Sequence, residues 1–189
     1  MIKFIMPIAA MFIFAGCATK SAQPINYYTI NTKAECSLAP KFEVRLTIDS
    51  YNDEYYSKAF YYTKGLEKQK YLYTMWSIAP VQNLQNAIIN NFSDCGFNII
   101  YNDMPISNFD NTKNLRVVLQ SFDQIFDANS SSYANLRAQA WLRDGKDQKS
   151  KIFDIKVPAK TNDGIGGINA INSASSKFIT ELMKWTSEK

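Results

Sequence analysis

From Ser132 to Arg143 the chain alternates without a break: Ala134, Leu136, Ala138, Ala140 and Leu142 fall on one side, Tyr133, Asn135, Arg137, Gln139 and Trp141 on the other. Period two over such a length is the mark of a strand with one covered face, so it commits the fold to a sheet. Leu115 to Ile125 repeats the pattern, as do Phe42, Val44, Leu46 and Ile48, and later Phe153, Ile155 and Val157. Asn26 to Asn31 and Phe97 to Tyr101 read as short strands. Lys58 to Thr63 and Gln69 to Trp76, divided at Gly65, read as a hairpin rich in aromatic residues that suit a pleated surface.

Only two stretches switch to helical spacing. In the first, Val81, Leu84, Ile88, Ile89 and Phe92 share a face, with Pro80 at the start and Gly96 past the end; this predicts a helix over Pro80 to Cys95. In the second, Ile171, Ala174, Phe178, Leu182 and Trp185 form a stripe that predicts a helix from about Asn169 to Ser187, after a small polar loop from Pro158 to Gly167. Consecutive strands without helices between them argue for an α+β domain: a largely antiparallel sheet with both helices packed on one face. A length of 189 residues suits one such domain and not two.

The amino terminus decides the compartment. Lys3 precedes an apolar run from Phe4 to Phe14 that is too short for a permanent span, and Ala15-Gly16-Cys17 follows. Residues 1–16 therefore read as a signal peptide, and Phe14-Ala15-Gly16-Cys17 is similar to the lipobox of bacterial lipoproteins, in which the cysteine is lipidated and becomes the first residue. Palmitate and related acyl chains on Cys17 would anchor the chain stably, because two or more chains hold where one binds only marginally. An ordinary signal peptide with an incidental cysteine is the plainer reading. In lipoproteins that this leader resembles, an aspartate after the cysteine retains the protein in the inner membrane; here Ala18 stands there, which points to the periplasmic face of the outer membrane. Residues 17–26 read as the lipidated cysteine and a flexible tether, and residues 27–189 as the periplasmic domain.

That compartment is oxidising, so Cys36 and Cys95 are candidates for a disulfide, the alternative being two free thiols. The chain has no histidine, which removes every Ser-His, Cys-His and His-metal site, and no Cys or His cluster suggests a metal. A catalytic site is not expected, and no cofactor beyond the covalent lipid. The net charge of +4 comes from basic residues scattered along the sequence, which gives nucleic-acid binding little support. Gly164-Ile165-Gly166-Gly167 before a helix invites a phosphate-loop reading, but it lacks the Lys-Ser/Thr pair and reads better as a connector. Asp49, Asp53 and Glu54 read as a solvated loop or a carboxylate pair.

Three features remain as candidates for recognition. The aromatic stretch from Tyr51 to Trp76 is core packing in its plainest reading, but Tyr51, Tyr55 and Tyr56 at its start are candidates for a partner interface, as is Trp141 on the mixed face of its strand. A lipid-binding groove is a third reading of the stretch. Asp127-Ala128-Asn129-Ser130-Ser131 fits an extended bacterial glycosylation sequon at a hairpin tip, which makes Asn129 a glycosylation candidate.

Taken in chain order, the lipobox, Tyr27-Tyr28-Thr29-Ile30, Arg45-Leu46, Phe60-Tyr61-Tyr62, Trp76-Ser77-Ile78-Ala79-Pro80, Leu115 to Phe122, Ala140-Trp141-Leu142-Arg143-Asp144 and the terminal helix with Asn172, Ala174, Phe178 and Trp185 resemble the ABC-type transport auxiliary lipoprotein family. The resemblance covers nearly the whole mature chain. It implies a lipoprotein that accompanies a transporter whose substrate-binding subunit carries an MCE (mammalian cell entry) domain, docking or completing a conduit for phospholipid or other hydrophobic molecules without chemistry of its own. The implied partners are the membrane, through the lipid, and the MCE subunit; a second copy of the chain is a further candidate. The Tyr51 to Tyr56 loop and the cysteine pair have no match in the family. A structural or assembly lipoprotein of a surface organelle or the cell wall is the alternative function.

Overall fold

The computed structural model describes residues 23–36, 42–101, 111–128 and 131–188. Residues 1–16, read as a signal peptide, Cys17, most of the segment read as a tether, and Asn129 lie outside the described residues.

The alternating stretch forms an inner strand of a single eight-stranded sheet. Strand β7 (Ser132–Asp144) pairs antiparallel with β6 (Thr112–Phe126) along one edge and with β8 (Asp147–Pro158) along the other. The other edge of β6 is shared. Strand β2 (Glu43–Ser50) pairs parallel with its first half, residues 112–119, and β3 (Ala59–Lys64) pairs parallel with its end, residues 124–126. The sheet forks there: β5 (Asn98–Tyr101) extends it beyond β2, while β4 (Glu67–Trp76) and then β1 (Asn26–Tyr28) extend it beyond β3. Gly65, at φ 61°, makes the tight β3–β4 turn in a conformation that other residues adopt at a cost. The sheet is thus mixed, its long ladders antiparallel and the shorter pairings at the fork parallel.

Among the described residues two helices, α1 (Pro80–Asp94) and α2 (Gly164–Ser187), complete the α+β domain. Leu84, Ile88 and Phe92 of α1 and Phe178, Leu182 and Trp185 of α2 share one buried cluster with Val44, Leu46, Leu115, Val117 and the alternating apolar residues of β7. Alanine at 134, 138 and 140 keeps that side of β7 low, and Phe153 of β8 meets Phe178 and Trp185 edge-on at 5.2 and 6.0 Å between ring centroids. Lys149 donates to the backbone oxygens of Trp185 (3.0 Å) and Glu188 (2.8 Å), placing a cation at the carbonyl end of α2.

Two readings of the chain are corrected. Helix α2 begins at Gly164, not near Asn169, so the glycine-rich segment is its first turn and neither a connector nor a phosphate loop. The Asp163 side chain caps it, accepting from the Gly166 amide at 2.8 Å. Glycine is needed because a Cβ at Gly167 would run into the Gln124 amide and the Phe60 ring; the helix enters by lying directly on the sheet. The strand read over Asn26 to Asn31 ends at Tyr28. Beyond it the chain crosses the helices as a strap, and buried asparagines of α1 take the place of a neighbouring strand: Asn83 Oδ1 accepts from the Ile30 amide (3.0 Å) and Asn91 Oδ1 from the Ala34 amide (2.6 Å). Asn172 and Thr180 of α2 accept from Asn31 (2.8 Å) and Glu35 (3.1 Å). Cys36 and Cys95 are disulfide-bonded, with Cα atoms 5.1 Å apart, so the strap is tied to the end of α1.

Candidate interaction surface and the buried polar centre

The four aromatic candidates do not sit together. Between β2 and β3 the chain makes a single 3-10 turn, Asp53–Tyr56, which crosses the gap left where β6 changes partner. Tyr51 and Tyr56 are exposed, at 76% and 50%. Tyr55 is 1% exposed and is therefore no part of a surface; it fills the fork. The reason is a backbone vacancy. β6 is irregular between Leu119 and Ser121, and the Phe122 amide, left without a strand partner, donates to the Tyr55 hydroxyl at 3.0 Å.

That hydroxyl in turn donates to Asp123 Oδ2 at 2.8 Å. Lys68 Nζ, on β4, donates to the same oxygen at 2.8 Å and also to Glu54, and it lies 5.2 Å from the centre of the Tyr55 ring. Among the described residues Asp123 Oδ1 has no hydrogen-bond partner. Burial pushes the Asp123 carboxyl above the usual carboxylate range, against the opposing pull of Lys68 and Tyr55. Burial and the adjacent Asp123 carboxylate raise the Tyr55 hydroxyl far out of the physiological range, so it remains a donor. For Lys68, burial lowers the pKa, but the hydrogen bonds to Asp123 and Glu54 outweigh it and leave the ammonium favoured. The arrangement is a charge-assisted clamp joining β4, β6 and the turn, and it holds the fork closed. Neither Asp123 nor Lys68 stands out in the sequence; the only signal was one acid and one base in otherwise ordinary strands.

Asp49, Asp53 and Glu54 do not form a carboxylate pair. Asp49 accepts from the Tyr56 hydroxyl, which holds its carboxyl below the usual range, and also lies 3.5 Å from Arg116; Glu54 is taken by Lys68. Among the described residues no group of three or more acidic or cysteine side chains is placed to hold a metal ion. No described helix is long and apolar enough to cross a membrane.

Trp141 lies half-buried on the side of the sheet away from the helices. It faces Arg116 across the strand pair, and with Asn114, Arg143 and Gln148 the two line a shallow groove of about 310 Å³. A separate exposed apolar strip runs along the outer strands, with Ile25 and Tyr27 at β1 and Leu72 and Tyr73 on β4. Lys177 and Lys184 are solvated on the outer side of α2.

These features define a compact α+β domain built on one forked sheet. No protein-family model matches the chain, and no curated protein matches it. Solved structures do share the fold. A Xanthomonas campestris protein of family DUF330 superposes with a TM-score of 0.72 at 18% identity, covering 86% of this chain and 95% of that one. An uncharacterized protein superposes with a TM-score of 0.68 at 12% identity, covering 87% of this chain and all of the other.

Proposed function

We propose that this protein is a lipoprotein, anchored through Cys17 to the periplasmic face of the outer membrane, that acts as a non-enzymatic accessory of an MCE-type ABC transporter of phospholipid or other hydrophobic molecules. The observation that carries the reading is the order of motifs on one chain: the Phe14-Ala15-Gly16-Cys17 lipobox, a short polar tether, then the Tyr27-Ile30, Trp76-Pro80 and Ala140-Asp144 segments that resemble the auxiliary lipoprotein family. Two geometric facts support it. Trp76 and Pro80 are both buried where β4 turns into α1, Trp76 packing against Phe60 at 5.4 Å and Phe122 at 5.5 Å, so the most distinctive motif specifies the fold. And β1 runs parallel to β4, so the chain before Asn26 heads toward the β3–β4 turn. A lipid on Cys17, eight residues before Ile25, would hold that end within about 28 Å of the membrane even with the tether fully drawn out.

Two measurements test the reading. Cys17→Ala is expected to leave a folded domain that fractionates away from membranes after a salt wash; a variant that stays in the pellet with unchanged processing removes the lipoprotein. Crosslinking in cells followed by purification is expected to recover the MCE subunit encoded with the transporter. Its absence from the wild-type capture removes the transport role and moves the structural or assembly lipoprotein ahead.

A further inference from the structure

The chain holds only four arginines, Arg45, Arg116, Arg137 and Arg143. All four lie on one side of the sheet, the side the helices leave uncovered. The registers settle this: Arg45, Asn114, Arg143 and Gln148 form one row across β2, β6, β7 and β8, and Thr47, Arg116, Trp141 and Ser150 form the next on the same side. Arg137 follows on β7, past the irregularity in β6. The inward neighbours, Leu46, Leu115 and Leu142, are the ones buried under the helices.

We propose that this uncovered face, centred on Trp141 between Arg116 and Arg143, is the docking surface for an acidic protein segment. Charge complementarity is the first argument. Arginine forks match carboxylates two bonds at a time and stack on aromatic rings, whereas lysine is a more strongly hydrated point charge; a chain that otherwise uses lysine has placed its arginines where such recognition would use them. Tryptophan and arginine are also the residues that dominate binding energy at interface centres. Existing partners do not commit the guanidiniums of Arg116, Arg137 and Arg143. Arg116 lies 3.5 Å from Asp49 and Arg137 2.7 Å from Asp154, with all four side chains at least 40% exposed, and such open pairs exchange readily for a ligand carboxylate. Arg143 uses only its Nε, toward the Gly145 oxygen at 3.2 Å.

The second argument is size and shape. Thirteen residues of β7 at about 3.4 Å each and four strands at about 4.8 Å give a face of about 850 Å², one partner's share of a standard interface. The rows around Trp141 carry Asn114, Thr47, Ser150 and Gln148, which hydrogen-bond to protein but offer no channel for acyl chains. A protein segment therefore fits better than a lipid.

The partner's identity, though not the surface, rests on the transport role proposed above, so the test has two arms on the full mature protein. In the first, the MCE subunit is captured by wild type, by Arg116→Glu/Arg143→Glu, and by the control Lys177→Glu/Lys184→Glu, which makes the same charge change on α2. We expect capture to fall at least tenfold for the arginine pair and less than twofold for the control, with melting temperatures matched. Arg116→Gln/Arg143→Gln, which introduces no opposite charge, is expected to lose part of the capture and guards against a misfolded double variant. Equal capture by all variants overturns the surface and leaves the transport role standing. In the second arm, an octaglutamate peptide is titrated in low salt while the Trp141 indole resonance, assigned through Trp141→Phe, is followed. If wild type captures no MCE subunit, this arm decides: a Trp141 shift lost in the arginine pair upholds the surface without that partner, and no shift overturns it. Phosphatidylglycerol vesicles replacing the peptide test the lipid alternative; binding to vesicles alone that depends on Arg116 and Arg143 also overturns the proposal.

Discussion

The two sides of β7 are made by the same thirteen residues and meet opposite fates. On the inner side Ala134, Leu136, Ala138, Ala140 and Leu142 are buried beneath α2, while on the outer side Tyr133, Asn135, Arg137, Gln139 and Trp141 are only half-buried even though two of them are large aromatics. What separates the sides is cover. Small residues let the helix approach, and the helix then removes everything beneath it from water; the bulkier outer residues have neither helix above them. Further along the same outer side the contrast reverses. Asp123 shares a row with Asn135 and Lys156, yet it is 4% exposed because Tyr55 and Lys68 close over it at the fork. Burial on this sheet follows what crosses the strands, and residue type decides only what the crossing costs.

The strongest way to break the contrast is to open the covered side. Phe178→Ala, at the contact with Phe153, is expected to destabilise by about 3–5 kcal/mol in urea unfolding, through lost transfer energy and an unfilled cavity. A loss under about 1 kcal/mol would mean that α2 is not held by this side of β7. Overfilling is the next step down: Ala138→Leu, in register with Phe153 and completely buried, is expected to cost about 1–3 kcal/mol by lifting the helix. Tyr55→Phe keeps the ring but removes the hydroxyl that serves both the Phe122 amide and Asp123, with an expected loss of about 1–3 kcal/mol and no change in surface binding.

The fork also has a pH signature whose sign can be worked out. Burial holds the folded Asp123 pKa above its unfolded value, so the folded state keeps that proton longer. Between the two values the unfolded chain binds fewer protons, and the stability contributed by this group falls as pH rises through the folded pKa. Denaturation midpoints of wild type relative to Asp123→Asn, followed upward from pH 4, are expected to decline across that window; a difference that rises instead would place the ion pair with Lys68 above burial. The smallest effect belongs to the open side: Trp141→Ala is expected to change stability by less than about 1 kcal/mol, because surface changes away from special features do little. A drop comparable to that of Phe178→Ala would mean that the outer side has cover of its own.

Much of this architecture was legible because it is local. The alternation in β7, the Pro80 and Gly96 punctuation of α1 and the turn at Gly65 each report on a few neighbouring residues, and all three stand in the fold. The fork was not legible, since the parallel pairings of β2 and β3 on one edge of β6 join segments far apart in sequence, and period two is the same for parallel and antiparallel neighbours. Tyr55 looked like its exposed neighbours Tyr51 and Tyr56 because nothing local marks a vacancy on another strand. Asn83 and Asn91 offered a missed signal: asparagines on the apolar stripe of α1 announce backbone to be satisfied from across the helix. The glycines at 164, 166 and 167 misled for a related reason, since poor helix formers are tolerated where the helix must lie against the sheet.

By itself the sequence determined most of the strands and helices, which side of each is apolar, and that Cys36 and Cys95 are candidates to pair, because periodicity and composition are carried by residues adjacent in the chain. Only the tertiary structure decided that Cys36 meets Cys95, that Tyr55 is a core residue, and that four arginines scattered from position 45 to position 143 converge on the one face that the helices leave open. Those outcomes depend on register between distant strands. A shift of one residue would turn every side chain on a strand to the opposite face, and that register is set by the packing of the whole sheet against its helices.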